Sequence, residues 1–169
     1  MIQLKRKPEK EGENLKIRCA MESDLNVINK LLYQVHQVHS DVRPDLFRAG
    51  AKKYRDDELK TIISDDRRPI FVAEQDRTVL GYAFCVHQQY VNDNNMTDVK
   101  TLYIDDLCVD ETARNMHIGR RLYEYVVDYA RQHGYYNVTL NVWADNGNAV
   151  KFYEKLGLKI QKIGMEKIL

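Results

Sequence analysis

Residues 114–121 have the sequence RNMHIGRR, and this stretch is more informative than any other in the chain. It follows an apolar run, Leu102–Val109, that predicts a strand, and it opens a run, Ile118–His133, that predicts a helix. The first turn of a helix offers unpaired backbone N–H groups and the positive end of the helix dipole. The stretch therefore predicts a site for a phosphorylated ligand at a strand-to-helix turn.

Two better-known phosphate-binding motifs do not match this turn. A P-loop needs Lys and then Ser or Thr after its last glycine, whereas Gly119 is followed by two arginines. The dinucleotide fingerprint needs three glycines, and the turn has one. The alternative to phosphate binding is an ordinary helix start with a solvated basic face.

Length and charge favour one domain and exclude some classes of protein. The chain has 169 residues, which suits a single domain with its own core. Its 26 basic and 25 acidic residues give a formal net charge of +1, which argues against a nucleic-acid partner bound by bulk charge. Residues 1–14 are charged and predict a flexible leader, and residues 15–169 predict the domain. No apolar run suits a signal peptide or a membrane span, so we expect a cytoplasmic protein without a membrane partner.

No metal site is expected. The cysteines Cys19, Cys85 and Cys108 lie far apart in apolar runs, which predicts buried free thiols in a reducing compartment. His36 and His39 lie one helical turn apart, but no third ligand can be placed beside them.

Hydrophobic periodicity and turn residues predict a mixed α/β sheet with the element order β-α-α-β-β-β-α-β-α-β. The predicted elements are a strand at Leu15–Cys19, a helix from Ser23 to a break at Arg43-Pro44, a helix at Asp56–Ile63, a hairpin of Ile70–Glu74 and Thr78–Gln88, the strand Leu102–Val109, the helix Ile118–His133, a strand at Asn137–Trp143, a helix capped by Asn146 and ended by Gly157, and a short strand at Leu158–Leu169. The hairpin gives an antiparallel part, and the passage through Ile118–His133 gives a parallel crossover.

Two motifs together carry a family resemblance. The first is Leu107–Val109 followed by an Arg-x-x-His-x-Gly turn at Arg114–Gly119. The second is Asn-x-x-Ala-x-x-Phe-Tyr-x-x-x-Gly-Leu at Asn146–Leu158. In this order, with a strand between them, they resemble the GNAT superfamily of N-acetyltransferases. The resemblance extends from about Leu15 to the C-terminus, and the family's fold agrees with the predicted element order.

The resemblance implies transfer of an acetyl group from acetyl-CoA to an amine. By that likeness the strand edge at Leu107, Cys108 and Val109 would pair with the pantetheine arm, and Asn146 would bind the pantetheine side as well. Tyr153 would be the general acid; the alternative for Tyr153 is core packing with its hydroxyl on a backbone partner. The turn that would wrap the pyrophosphate consists of Arg114, Asn115, Met116, His117, Ile118, Gly119 and Arg120.

The turn departs from the family pattern at one position. His117 stands where the family usually has its first glycine, a residue that adopts positive φ freely. Histidine adopts that conformation at some cost. This departure motivates an alternative function, a non-catalytic CoA-binding or regulatory domain of the same fold.

Asp105 and Asp106 interrupt an otherwise apolar strand. The run Tyr103–Val109 resembles polyamine-type members of the family, and by that likeness Asp105 would anchor or deprotonate a cationic acceptor amine. Side-chain alternation along a strand predicts that the two carboxylates face opposite sides of the sheet. The alternative is that both pair structurally with Lys or Arg. A homodimer through the C-terminal strand is expected by analogy only.

Overall fold

The computed structural model describes residues 14–169, so the predicted leader lies outside it except for Asn14. The elements of these residues are β1 (Lys16–Cys19), α1 (Leu25–Val42), α2 (Asp56–Ile63), β2 (Ile70–Gln75), β3 (Thr78–Gln88), β4 (Thr101–Val109), α3 (Ile118–Gln132), β5 (Asn137–Leu140) and α4 (Gly147–Lys155). Single turns of 3-10 helix at Glu22–Asp24 and Glu111–Ala113 precede α1 and α3.

The five strands form one mixed sheet in the order β1-β2-β3-β4-β5. Neighbouring strands from β1 to β4 are antiparallel, and β5 lies parallel to β4 after the crossover through α3. The predicted mixed α/β sheet, with its hairpin and its parallel crossover, is confirmed.

Helices cover both faces of the sheet, and each face has its own apolar core. On one face α3 buries the stripe Ile118, Leu122, Val126 and Ala130, the spacing that the sequence shows. On the other face α1 and α2 bury Ile28, Leu31 and Leu59 against Val72 and Tyr82. Burying each of these large apolar side chains stabilises the fold by about 1.5–3 kcal/mol, so the sheet and its strand ends are held firmly.

The predicted last strand, Leu158–Leu169, is wrong. The structure has no strand there, and the apolar side chains of Ile160, Ile163, Met165 and Ile168 are at least three-quarters exposed. An apolar pattern makes a segment capable of pairing, but a strand forms only where a neighbouring edge accepts its hydrogen bonds. In place of a strand pairing, an ion pair of 2.6 Å joins Glu166 to Arg43 at the end of α1.

The strand β5 is shorter than predicted, and this difference shapes the site. It ends at Leu140 rather than Trp143, and its register with β4 runs only from Thr101↔Asn137 to Ile104↔Leu140. On its other side, β4 stays paired with β3 as far as Val109↔Gly81. From Asp105 onward, therefore, one edge of β4 has no neighbouring strand among the described residues.

Candidate active site

A groove of about 740 Å³ runs along the end of β4, from Leu107, beyond the point where β4 leaves β5. Its walls come from α1, the free end of β4, the turn before α3, and α4. The predicted cofactor-binding residues on this groove are Leu107, Cys108, Val109, Arg114, Asn115, His117, Ile118, Gly119, Arg120 and Asn146. Met116 is the one predicted residue that does not line it. The structure thus brings together two motifs that lie some 25–50 residues apart in the chain.

The free edge of β4 can bind an extended ligand. Backbone N–H and C=O groups on an unpaired strand edge accept a further strand or an extended amide chain. Gly81 on β3 is what lets the backbone at Cys108 lie this close, because a Cβ at Gly81 would come 2.7 Å from the Cys108 carbonyl oxygen. The Cys108 side chain points away from the groove into the α1 face, where its Sγ lies 3.7 Å from the Leu31 carbonyl oxygen.

The turn before α3 adopts the backbone that a phosphate cradle needs. His117 has φ 58° and ψ 13°, and Asn115 has φ 70°, so both are left-handed. The histidine therefore takes the conformation for which the family pattern has glycine. No side chain caps α3. The backbone N–H groups of Ile118, Gly119 and Arg120 have no partner within the helix and lie on the groove at the positive end of the dipole.

Asn146 performs a structural task at the opposite wall. Its Oδ1 accepts a hydrogen bond of 3.1 Å from the Ala149 N–H, which makes it the N-cap of α4 as predicted. The capping bond uses the amide oxygen and leaves the Nδ2 donors for the groove.

The two aspartates of β4 share one face of the sheet, and the prediction of opposite faces is wrong. Phe84 pairs with Asp106 and Cys85 with Ile104, so Asp105 is an extra, bulged residue. A β-bulge breaks the alternation of side chains. Both carboxylates accordingly turn toward the α1–α2 face: the Tyr54 hydroxyl donates to Asp105 at 2.7 Å, and the Tyr82 hydroxyl donates to Asp106 at 3.0 Å.

The two carboxylates differ in their charge partners. Asp105 forms an ion pair of 2.8 Å with the Lys53 ammonium, so the structural pairing considered for it is present. Asp106 has no ion-pair partner among residues 14–169. Burial raises the pKa of the Asp106 carboxyl to about 6, against the opposing pull of Lys53 and Tyr82. Asp106 is therefore ionised at neutral pH yet more basic than an ordinary aspartate.

Tyr153 lies on α4 with its ring half-buried. Its ring centroid is 5.0 Å from that of Phe152 and 6.3 Å from that of Tyr123. Its hydroxyl has no hydrogen-bond partner in the described part of the chain, unlike a purely structural buried tyrosine. Burial, and then the charge of Asp106, raise the pKa of this phenol well above its usual value. Tyr153 consequently keeps its proton at neutral pH.

An aromatic cluster closes the side of the groove toward the α1–α2 connection. His39 stacks on Phe47 at 5.3 Å, Phe47 meets Trp143 edge-on at 5.7 Å, and Arg43 lies 5.6 Å above the Trp143 ring. Burial lowers the pKa of His39, so its imidazole is neutral at pH 7. The cluster joins α1 to the loop between β5 and α4.

Sequence reasoning did not place Lys53, Tyr54 and Tyr82 beside the two aspartates, and it named Asp105 rather than Asp106 as the candidate base. Nothing in the local sequence around Tyr54 marks it, because its partner Asp105 is 51 residues away. Asp106 was visible as a carboxylate in an apolar strand, but its position depended on a bulge that has no sequence marker here.

Other groups were also placed by the structure. Cys85 and Cys108 are buried as expected, whereas Cys19 is exposed. Burial raises the pKa of Cys108 to about 12, which makes it a poor nucleophile. In residues 14–169 no three His, Cys, Asp or Glu side chains are grouped as metal ligands would be. Within the same range, no helix has the length and apolar character needed to cross a membrane.

Comparisons with known proteins agree with this geometry. The sequence profile of the Acetyltransferase (GNAT) family matches residues 33–158, so the chain belongs to that family. The solved structure of a tetramutant of the BH1408 protein from Bacillus halodurans superposes with a TM-score of 0.86 at 32% identity, covering 91% of this chain and 99% of that one.

Two curated relatives carry N-acetyltransferase names. A probable N-acetyltransferase, camello, from Xenopus laevis is 30% identical over 104 residues, 62% of this chain and 44% of its own length. An uncharacterized N-acetyltransferase from Methanocaldococcus jannaschii is 24% identical over 147 residues, 87% of this chain and 62% of its own length. The chain thus spans about half the length of these relatives.

Proposed function

We propose that this chain is an acetyl-CoA-dependent N-acetyltransferase that acts on a cationic amine, either a small molecule or a protein amine, by direct attack in a ternary complex. The observation that carries this proposal is the split between β4 and β5, which runs directly into the uncapped N-terminus of α3. An extended amide chain ending in a pyrophosphate is the ligand that such a continuous arrangement fits.

The proposed binding mode uses mostly backbone groups. The edge of Leu107–Val109 would pair with the pantetheine amides, and the Asn146 amide would donate from the other wall. The N–H groups of the turn Arg114–Arg120, with its left-handed residues, would hold the pyrophosphate. An N–H on the free edge near Val109 would stabilise the charge that develops on the thioester oxygen.

The proposed chemistry uses two side chains, one as general base and one as general acid. Asp106, a carboxylate whose pKa is raised to about 6, would take a proton from the acceptor ammonium, directly or through water. Tyr153, which keeps its proton at neutral pH, would donate that proton to the departing thiolate. Two groups whose environments push their pKa values in useful directions are typical of acid–base sites.

Asp105 would anchor the acceptor. Its Oδ2 already accepts hydrogen bonds from one primary ammonium, that of Lys53, and from the Tyr54 hydroxyl. An acceptor with a primary ammonium could bind the Asp105 carboxylate in the same way, which favours a cationic amine. The cytoplasmic location, the absence of nucleic-acid and membrane partners, and a homodimer remain predictions.

Release of free thiol from acetyl-CoA, measured with a panel of polyamines, amino sugars and lysine peptides, tests the proposal. Turnover with any amine, accompanied by an acetylated product in the mass spectrum, would support it. Binding of acetyl-CoA with no turnover across the panel would favour the non-catalytic alternative. The left-handed His117 removes one reason for that alternative, because the turn has formed with histidine in place.

A further inference from the structure

A lysine of the chain itself is paired with Asp105, the residue proposed to anchor the acceptor. The Lys53 ammonium lies 2.8 Å from Asp105 Oδ2 and 3.4 Å from the Asp105 carbonyl oxygen. The Tyr54 hydroxyl donates to the same Oδ2 at 2.7 Å. The lysine stands in the connection between α1 and α2, a stretch without regular secondary structure. Its side chain is 36% exposed, so four methylenes leave the ammonium free to move by several ångströms.

The neighbouring lysine provides a contrast. Lys52 turns away and pairs with Asp56 at the start of α2, where its side chain has a similar exposure of 38%. The two lysines therefore have the same intrinsic chemistry and the same access to solvent. They differ in that Lys53, and not Lys52, reaches the Asp105 carboxylate of β4.

The positive charge of Lys53 shifts the pKa values of two neighbouring groups. It lowers the pKa of Asp106 on one side and of His39 on the other. Asp106 in turn raises the pKa of Tyr153. Lys53 thus acts through its charge on Asp106, the proposed base, and Asp106 acts in the same way on Tyr153, the proposed acid.

We propose that Lys53 is an internal acceptor, and that the protein acetylates this lysine on its own chain when no external amine is bound at Asp105. The inference rests on the proposed function, because it uses the same donor and the same base. It adds a modification site on the α1–α2 connection. Acetylation would remove the Lys53 charge, break its ion pair with Asp105, and leave the Asp105 carboxylate free to bind a cationic acceptor.

The reaction balances with acetyl-CoA as the only co-reactant. The Lys53 ammonium gives one proton to Asp106, and from there to solvent. The free Nζ attacks the thioester carbonyl; the new N–C bond forms and the C–S bond breaks. The nitrogen loses its second proton to solvent as the amide forms. Tyr153 protonates the departing thiolate, which leaves as the thiol, and the phenolate of Tyr153 regains a proton from solvent.

Incubation of the full chain with acetyl-CoA carrying a deuterated acetyl group, without added amine, tests this inference. Digestion followed by mass spectrometry would compare the heavy acetyl on Lys53 with that on Lys52, the matched control. We expect at least about tenfold more label on Lys53, with a first-order rate that stays constant over a twentyfold range of protein concentration. Asp106→Asn should remove this excess and leave the slow background on Lys52 unchanged.

The outcomes separate this inference from the proposed function. Equal labelling of the two lysines, or a rate that rises with protein concentration, would overturn self-acetylation. Turnover of external amines with Lys53 unlabelled would overturn it while the proposed function stands. No label and no turnover with any amine would overturn both.

Discussion

The proposed cofactor side and the proposed acceptor side of the site are built in different ways. The cofactor side consists of two runs of consecutive residues, Leu107–Val109 and Arg114–Arg120, which line the groove except at Met116 and would act largely through backbone groups. The acceptor side gathers single side chains from separate parts of the chain on the α1–α2 face of β4: Lys53, Tyr54, Tyr82 and the two aspartates of β4. A backbone site tolerates changes of side chain as long as its dihedral angles persist. A side-chain site depends on each functional group.

Substitutions on the two sides should therefore change different kinetic and binding constants. Acceptor-side and acid–base variants should lower kcat while acetyl-CoA binding persists. Cofactor-side variants should change the Kd for acetyl-CoA and leave the chemical step alone. A variant that changed both equally would break the distinction.

Tyr153→Phe should show the largest effect. Without the phenol the thiolate would lose its proposed proton donor, so kcat should fall about 10³-fold. The Kd for acetyl-CoA, measured by calorimetry, should stay within twofold. Tyr123→Phe is the matched control, because Tyr123 contacts the Tyr153 ring and has no part in the chemistry. Unchanged kcat in Tyr153→Phe, with chemistry rate-limiting, would leave Tyr153 as a packing residue.

Asp106→Asn should lower kcat/KM about 10²-fold, less than the loss of the acid because solvent can accept a proton in place of Asp106. The wild-type rate should rise with pH through about 6, the pKa of the Asp106 carboxyl, and the variant should lose that limb. Retention of the same acidic limb would count against the role of base.

Asp106→Asn should also change how the free energy of unfolding depends on pH. The pKa of Asp106 is higher in the folded chain than in the unfolded one, so its effect favours folding at low pH and is lost as pH rises through about 6. Asn carries no charge, so Asp106→Asn should gain up to about 3 kcal/mol of stability relative to wild type at pH 8 compared with pH 4. Thermal melts at the two pH values measure this difference.

Two glycines, Gly119 on the groove and Gly81 on β3 behind it, should separate ligand binding from folding. A Cβ at Gly119 would lie 3.5 Å from Phe152 and Val109, an ordinary contact. Gly119→Ala should therefore keep or raise the Tm, while the methyl group crowds the pyrophosphate and weakens acetyl-CoA binding about tenfold. Gly81→Ala should instead destabilise the fold by about 1–3 kcal/mol, since its Cβ would meet the Cys108 carbonyl oxygen at 2.7 Å. Equal losses of Tm in the two variants would contradict this division.

His117→Gly should have the smallest effect. The backbone is already left-handed at this residue, so glycine relieves about 1 kcal/mol of local strain and changes the Kd for acetyl-CoA by less than about fivefold. His117→Val tests the backbone argument directly, because a β-branched residue resists positive φ. We expect it to weaken binding by more than tenfold. If the Gly variant lost as much, the imidazole itself would bind the ligand.

Elements set by neighbouring residues were predicted correctly, whereas elements that depend on distant parts of the chain were not. Helix α2 and strand β3 have the predicted bounds, and α3 starts at the predicted Ile118, because their periodicity and punctuation are local. The last strand failed because strand pairing needs an edge elsewhere in the fold. The bulge at Asp105 failed for the same reason: the register between β3 and β4 shifts through contacts along both strands.

Local sequence was sufficient for the elements of the proposed cofactor side. The spacing of Arg114, Gly119 and Asn146 within two local motifs was enough to predict the turn, the helix cap and the family. Only the tertiary structure decided the acceptor side. The end of β5 at Leu140 opened the split, and the bulge turned Asp105 and Asp106 to one face. Burial there then made an unusually basic carboxylate. Dihedral preferences and helix ends are properties of neighbouring residues, whereas strand register, burial and pKa depend on what distant parts of the chain bring together.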